Sequence, residues 1–164
     1  MLTVKTYLAP SSIHGIGLFA TELIPANSVV WQYNEHIDNI YSVDFFLNIC
    51  SNANQNTIQH LLNCSYKRSG RYFYVTDNAR FINHSDIANI AFVDDYTEVT
   101  LQEIKPNEEM LCNYLSYSDP DDFHARNIIN EHEGGDWVVS MDKLETNLKY
   151  QIREEKFQNY KKTQ

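Results

Sequence analysis

Apolar residues recur at two different periods along this chain. Over residues 3–8 they alternate, with Val4, Thr6 and Leu8 on one face, and residues 28–33 form a second β-rich run after the turn-forming Pro25-Ala26-Asn27. These read as two strands around a glycine turn. From Ser42 the period lengthens: Ser42 is placed to cap a helix carrying Val43, Phe45, Phe46 and Ile49, and a second helical set follows at Ile58, Leu61 and Leu62, up to Asn63. Strand patterning returns over residues 71–76, 90–93, 99–101 and 110–114, separated by polar links such as Pro106-Asn107. Short strands without intervening helices exclude a doubly wound sheet and predict a mainly β fold with a helical insert.

After Tyr114 the pattern changes again. Asp119 suits an N-cap and Pro120 the first helical position, which predicts a helix to about His132 that Gly134-Gly135 ends. Ser140 then opens a longer helix with Met141, Leu144, Leu148 and Ile152 along one side. The expected organisation is therefore a domain over residues 1–117 and a C-terminal helical extension, 118–164, packing on it. Residues 143–164 carry six basic and three acidic side chains, which reads as a solvated helix face.

With 164 residues, 43% of them hydrophobic and 21% charged, the chain has material for one core and the composition of a globular domain. A formal charge of -9 disfavours a phosphate backbone as partner, so nucleic acid is not expected. An acidic surface is compatible with a lysine-rich protein partner without naming one. Cys50, Cys64 and Cys112 are odd in number and widely spaced, which argues against a disulfide framework. His60 and Cys64 form at most half of a zinc site, and no metal is expected. No secretory signal and no apolar run of membrane-spanning length is visible, so the expected setting is the cytoplasm, away from membranes, although delivery into a host cell by a route that reads other signals would escape this test.

Three segments carry candidate chemistry. Gly15-Ile16-Gly17-Leu18-Phe19-Ala20 fits a dinucleotide fingerprint in spelling only, because Pro25 and a β-branched run follow where a phosphate-binding helix would be needed. With five glycines in the whole chain, the pair at 15 and 17 marks a place that needs bare backbone. Asn78-Ala79-Arg80-Phe81-Ile82-Asn83-His84-Ser85 gathers donors and acceptors suited to a polar ligand. It is no catalytic Ser-His unit, since neighbouring positions in an extended segment point apart. Asn107-Glu108-Glu109-Met110-Leu111-Cys112-Asn113-Tyr114 is a turn, a strand and a terminal tyrosine.

In this order and spacing, GIGLFA, RFINHS and NEEMLCNY resemble the signature of the SET-domain lysine methyltransferases, whose pattern runs GxGLF or GWGL, then RFINHS, then GEEL with a tyrosine shortly after. The resemblance covers residues 3–117. It implies a fold of several small sheets with a knot-like core, and S-adenosylmethionine as cofactor. It further implies that Gly15, Ile16, Gly17, Arg80, Asn83, His84 and Tyr114 hold the cofactor, and that Tyr114 is catalytic. Tyr33, in WQYNE, stands where the family has the tyrosine of EYxGE, and is expected to share the catalytic site and line a lysine channel with Cys112. Phe123 and Trp137 are expected to close that channel from the C-terminal extension. The implied activity is protein-lysine N-methylation, on a histone or another basic protein. Its alternative is a catalytically silent module of the same fold that binds cofactor or peptide.

The chain departs from the family in three places. The familiar RFINHSC-x-PN continues as Asp86-Ile87-Ala88-Asn89, Asn113 replaces the usual aspartate before the tyrosine, and no cysteine-rich segment follows.

Overall fold

The computed structural model of the protein describes residues 1–122. The predicted C-terminal helices, with Phe123 and Trp137, lie outside these residues.

Strands β1 (Thr6–Pro10) and β2 (Ile16–Ala20) pair antiparallel from Thr6↔Ala20 to Pro10↔Ile16. Gly15, at φ +49°, turns the chain between them. The glycine motif is thus itself the second strand of the hairpin, a role the sequence reading gave to residues 28–33. That run forms β3 (Val29–Gln32), which pairs elsewhere. The physical reason is burial: β2 puts Leu18 and Ala20 fully inside, so the segment pays for strand pairing with core contacts.

A three-stranded sheet follows, in which β6 (Arg71–Tyr74) lies between β4 (Asn39–Ser42) and β5 (Ser65–Arg68). Two helices, α1 (Val43–Asn52) and α2 (Gln55–Asn63), cover it. Ser42 caps α1 as expected, its hydroxyl oxygen accepting from the Phe45 N–H at 3.3 Å, and the Asn54 carboxamide oxygen caps α2. The buried face of α1 is Phe46, Leu47 and Cys50, which pack with Leu62 and Tyr72. Phe45, assigned to the apolar side, is instead 52% exposed, because the i, i+3, i+4, i+7 stripe runs through 43, 46, 47 and 50.

The remaining strands build a five-stranded sheet in the order β3, β9 (Thr97–Thr100), β8 (Ile90–Asp94), β10 (Leu111–Cys112), β7 (Asn83–His84). β10 runs parallel to both neighbours, with Leu111↔Asn83, Cys112↔His84 and Cys112↔Ile90 in register. A late two-residue strand is therefore seated between two strands that are consecutive in sequence. Asn89 secures it: its amide N–H2 donates to the Glu109 carbonyl (2.7 Å) and its carboxamide oxygen accepts from the Leu111 N–H (2.8 Å). The side chain supplies ladder bonds that the two-residue strand is too short to make, and at 4% exposure those bonds are shielded from water. The main core, formed by Leu18, Ala20, Ile24, Val30, Ile82, Ile90, Ile104, Met110 and Cys112, holds this interleaved sheet against the first hairpin.

Candidate active site

The three motif segments converge. The backbone of β2 bonds to the third motif, with the Met110 N–H donating to the Leu18 carbonyl (2.8 Å) and the Ala20 N–H to the Glu108 carbonyl (3.0 Å). Asn83 ties the second motif to both others. Its amide lies within bonding distance of the His14 carbonyl (3.0 Å), the Ile16 carbonyl (3.4 Å) and Glu109 Oε1 (2.9 Å). The second Glu109 oxygen accepts from the Ser11 hydroxyl at 2.9 Å. Gly17 is required here: a Cβ on it would lie 2.1 Å from Glu109 Oε1.

His84, buried beside this network, accepts the Tyr114 N–H at Nδ1 (3.2 Å), and its ring stands 5.3 Å from the Tyr114 ring. The Tyr114 hydroxyl donates to the Ile82 carbonyl at 2.6 Å. Burial, reinforced by Cys112 and Glu98, holds this phenol far above its ordinary range, so it is neutral at physiological pH. Its hydrogen is already committed to Ile82. What it offers a ligand is an oxygen lone pair.

Tyr114 also lines a cavity of about 100 Å³. Its aromatic wall is Tyr66, Phe92, Tyr117 and Trp31, with Phe92 and Tyr117 centred 4.8 Å apart and Tyr66 and Tyr117 5.0 Å apart. Ala79, Arg80, Ile82 and Cys112 complete the part contributed by the motifs. Glu98, 5% exposed, lines it too. Among the described residues, three side-chain atoms of lining residues are buried without a hydrogen-bond partner: Trp31 Nε1, Ser65 Oγ and the Tyr66 hydroxyl. Unpartnered buried polar atoms are expensive, and a cavity that collects three of them suits a ligand with polar atoms of its own.

Of the residues expected at the site, Arg80, Cys112 and Tyr114 line the cavity, while Gly15, Ile16, Gly17, Asn83 and His84 form the adjoining network. Tyr33 is not among the lining residues. Its ring packs on Tyr96, 5.5 Å away, just past the end of β3. A bulge between Val29 and Trp31 shifts the register so that Trp31 stands opposite Glu98, and Trp31 is the residue of this strand that lines the cavity. Sequence reasoning also missed Glu98. The pattern T-E-V-T suggests that Val99 points inward, but Glu98 and Thr100 are the buried pair. His60 and Cys64 do approach each other (3.9 Å), but His60 bonds the Tyr74 hydroxyl, and no group of three possible metal ligands exists among the described residues.

Two solved structures share this fold. One is a humanized mutant of the Chaetomium thermophilum Polycomb Repressive Complex 2 bound to the inhibitor GSK126, 21% identical over 72% of this chain, with a TM-score of 0.51. The other is ctPRC2 in an autoinhibited conformation bound to S-adenosylmethionine, 19% identical over 79% of this chain, with a TM-score of 0.55. This chain matches 16% and 17% of the length of those chains. No curated protein matches it. The family model of the SET domain matches residues 15–115, the span that carries all three motifs, the interleaved sheet and every lining residue of the cavity but Tyr117, and the chain belongs to the SET-domain family.

Proposed function

We propose that this protein is an S-adenosylmethionine-dependent protein-lysine N-methyltransferase, with Tyr114 as the catalytic tyrosine and the aromatic cavity as its lysine channel. One observation carries the reading: Tyr114 and Cys112 of the third motif, and Arg80 and Ile82 of the second, line one aromatic cavity directly beside the network that Asn83 builds around the glycine loop.

The residues fit the cofactor. None of the described residues stands within 4 Å of where a side chain on Gly15 would be, which lets a ligand approach bare backbone. Around it the His14 and Ile16 carbonyls and the Glu109 carboxylate form an acceptor-rich rim suited to an ammonium group such as the cofactor carries. Gly15, Ile16, Gly17, Asn83 and His84 would hold it, with Arg80 at the cavity edge. When bound, S-adenosylmethionine supplies an electrophilic methyl on a sulfonium.

The chain's own residues do the rest. A lysine ammonium with a reference pKa near 10.4 must lose a proton before attack, an uphill step of roughly 4–5 kcal/mol at neutral pH. Enclosure by Tyr66, Phe92, Tyr117 and Trp31 favours the neutral amine by withholding water. The Tyr114 oxygen, with its hydrogen held by Ile82, presents lone-pair density to positive charge developing in the cavity. Rigid walls restrict the approach of the side chain, which contributes an orientation effect.

The test is to incubate the full chain with labelled S-adenosylmethionine and a panel of histones and other basic proteins, and to map the label by mass spectrometry. Methyl groups on lysine are expected. Cofactor binding by calorimetry with no label on any substrate would replace this reading with that of a silent binding module.

A further inference from the structure

The cavity holds one carboxyl group, and the reaction described above does not use it. Glu98 projects from β9 into an enclosure that it shares with five aromatic side chains and with Arg80, and neither Arg80 nor any other cation forms an ion pair with it among the described residues. Among the described residues its one bonded side-chain neighbour is the Cys112 thiol, on β10. Arg68, on β5, is the nearest candidate counter-ion. Arg68 Nε is engaged by Asp95 at 3.0 Å and its guanidinium lies over Phe92, 4.6 Å from the ring centre, while its Nη1 is buried without a hydrogen bond among the described residues and makes no ion pair with Glu98. The other groups that act on Glu98 are Asp77, which opposes its ionisation, and the amino group of Met1, which favours it. On the facing elements Tyr66, Tyr114 and Tyr117 are all held neutral, with phenols pushed above their usual range by burial.

A buried carboxylate without a cation is costly, and its desolvation is offset only when a positive group comes within contact distance. This one stands beside open space, and the walls around that space include the rings of Trp31, Tyr66, Phe92, Tyr114 and Tyr117, whose π faces also attract cations. We infer that Glu98 is the specificity-determining residue of the cavity: its carboxylate is the counter-charge that selects an alkylammonium head group. The inference rests on taking the cavity as the amine channel. It goes further in explaining how a neutral side chain of similar length is refused. The same carboxylate can take the ammonium proton, the N–H bond breaking and an O–H bond forming while the lone pair stays on nitrogen.

The claim is testable without cofactor or methyl transfer. Burial raises the Glu98 carboxyl to about 7, so a bound ammonium must displace a proton from it below that pH and need not above it. The full chain is titrated with n-butylammonium and, separately, n-butanol, following the Trp31 indole N–H by NMR. Butylammonium keeps its charge throughout this range. Its affinity is expected to rise about tenfold between pH 6 and pH 8, while that of butanol stays flat. In Glu98→Gln, the ammonium affinity should fall and its pH dependence vanish. Equal binding of the alcohol and the ammonium by the unaltered chain, or a flat ammonium profile, would overturn the inference even if Glu98→Gln failed to fold. Because no methyl donor is present, a chain that shows the pH-linked ammonium binding but never methylates lysine would sink the methyltransferase reading and leave this one standing.

Discussion

Two polar regions lie side by side in this protein and obey opposite rules. Around the glycine loop the polar groups are matched: Asn83 reaches two carbonyls and Glu109, and Ser11 takes the other Glu109 oxygen. In the aromatic cavity they are not, since among the described residues Trp31, Ser65 and Tyr66 leave buried atoms unbonded and Glu98 lacks an ion pair. A satisfied network fixes shape, whereas an unsatisfied one is stabilised by what enters it. Substitutions in the first region should therefore read out as lost stability, and those in the second as lost ligand recognition or turnover.

The largest effect is expected at Tyr114. Tyr114→Phe removes one hydroxyl at the cavity wall and leaves the ring against His84 and Tyr117. Methyl transfer should fall by about 100- to 1,000-fold, the scale for loss of one preorganised polar group, with thermal stability within about 1 kcal/mol of the parent. Wild-type turnover in a single-turnover assay would mean that the cavity is not where the chemistry occurs.

Glu98 sharpens the contrast through pH. In the unfolded chain its carboxyl titrates near the ordinary 4.5, and in the folded protein near 7, so the native state holds the proton more tightly. The favourable contribution is complete below about pH 4.5 and is lost as pH rises to about 7, a swing of about 3 kcal/mol. Glu98→Gln abolishes that swing. Urea denaturation at pH 5 and pH 8 should show the variant gaining on the parent at the higher pH, and equal differences at both would mean that the carboxylate is solvated or paired.

These residues differ in how far sequence could reveal them. Tyr114 and Asn83 sit in motifs whose order and spelling carry the family, and the Ser42 cap follows from one hydroxyl placed before an apolar stripe. Glu98 was hidden because binary patterning turns valine inward and glutamate outward, and β9 does the reverse to put its carboxylate in a cavity. Trp31 was hidden by a bulge, since a one-residue change of register is invisible in a run of β formers. The strands β4 and β5 escaped notice because sequences such as Ser65-Tyr66-Lys67-Arg68 bury only part of every side chain and show no alternation.

Asn83 is the test of the matched region. The family resemblance gives its amide to the cofactor, but here it also links the loop carbonyls to Glu109. Asn83→Ala should lower stability by about 1–3 kcal/mol before any ligand is added, because buried acceptors lose their donor. Hydrogen exchange should show the loop opening around Gly15. Intact stability with weakened cofactor binding would assign the amide to the ligand alone.

The smallest effects separate the two motif glycines. At Gly15, with φ +49° and no atom of the described residues within 4 Å of a Cβ, alanine costs only the left-handed backbone, about 1 kcal/mol. At Gly17 the backbone is not the problem. Alanine there would drive its methyl into the Glu109 carboxylate, and that carboxylate cannot swing aside without releasing Ser11 and Asn83. Gly17→Ala should therefore cost about 1–3 kcal/mol, the range for overpacking, and the penalty should shrink when Glu109→Ala is added. The same second change should leave the cost of Gly15→Ala untouched, because that cost is local to one dihedral. A double-mutant cycle by thermal melting measures both couplings. Additivity at Gly17 would show that Glu109 yields freely and that the network around the loop is looser than its hydrogen bonds indicate, whereas a coupling of about 1 kcal/mol at Gly17 and none at Gly15 would assign the second glycine of the motif to the carboxylate it accommodates.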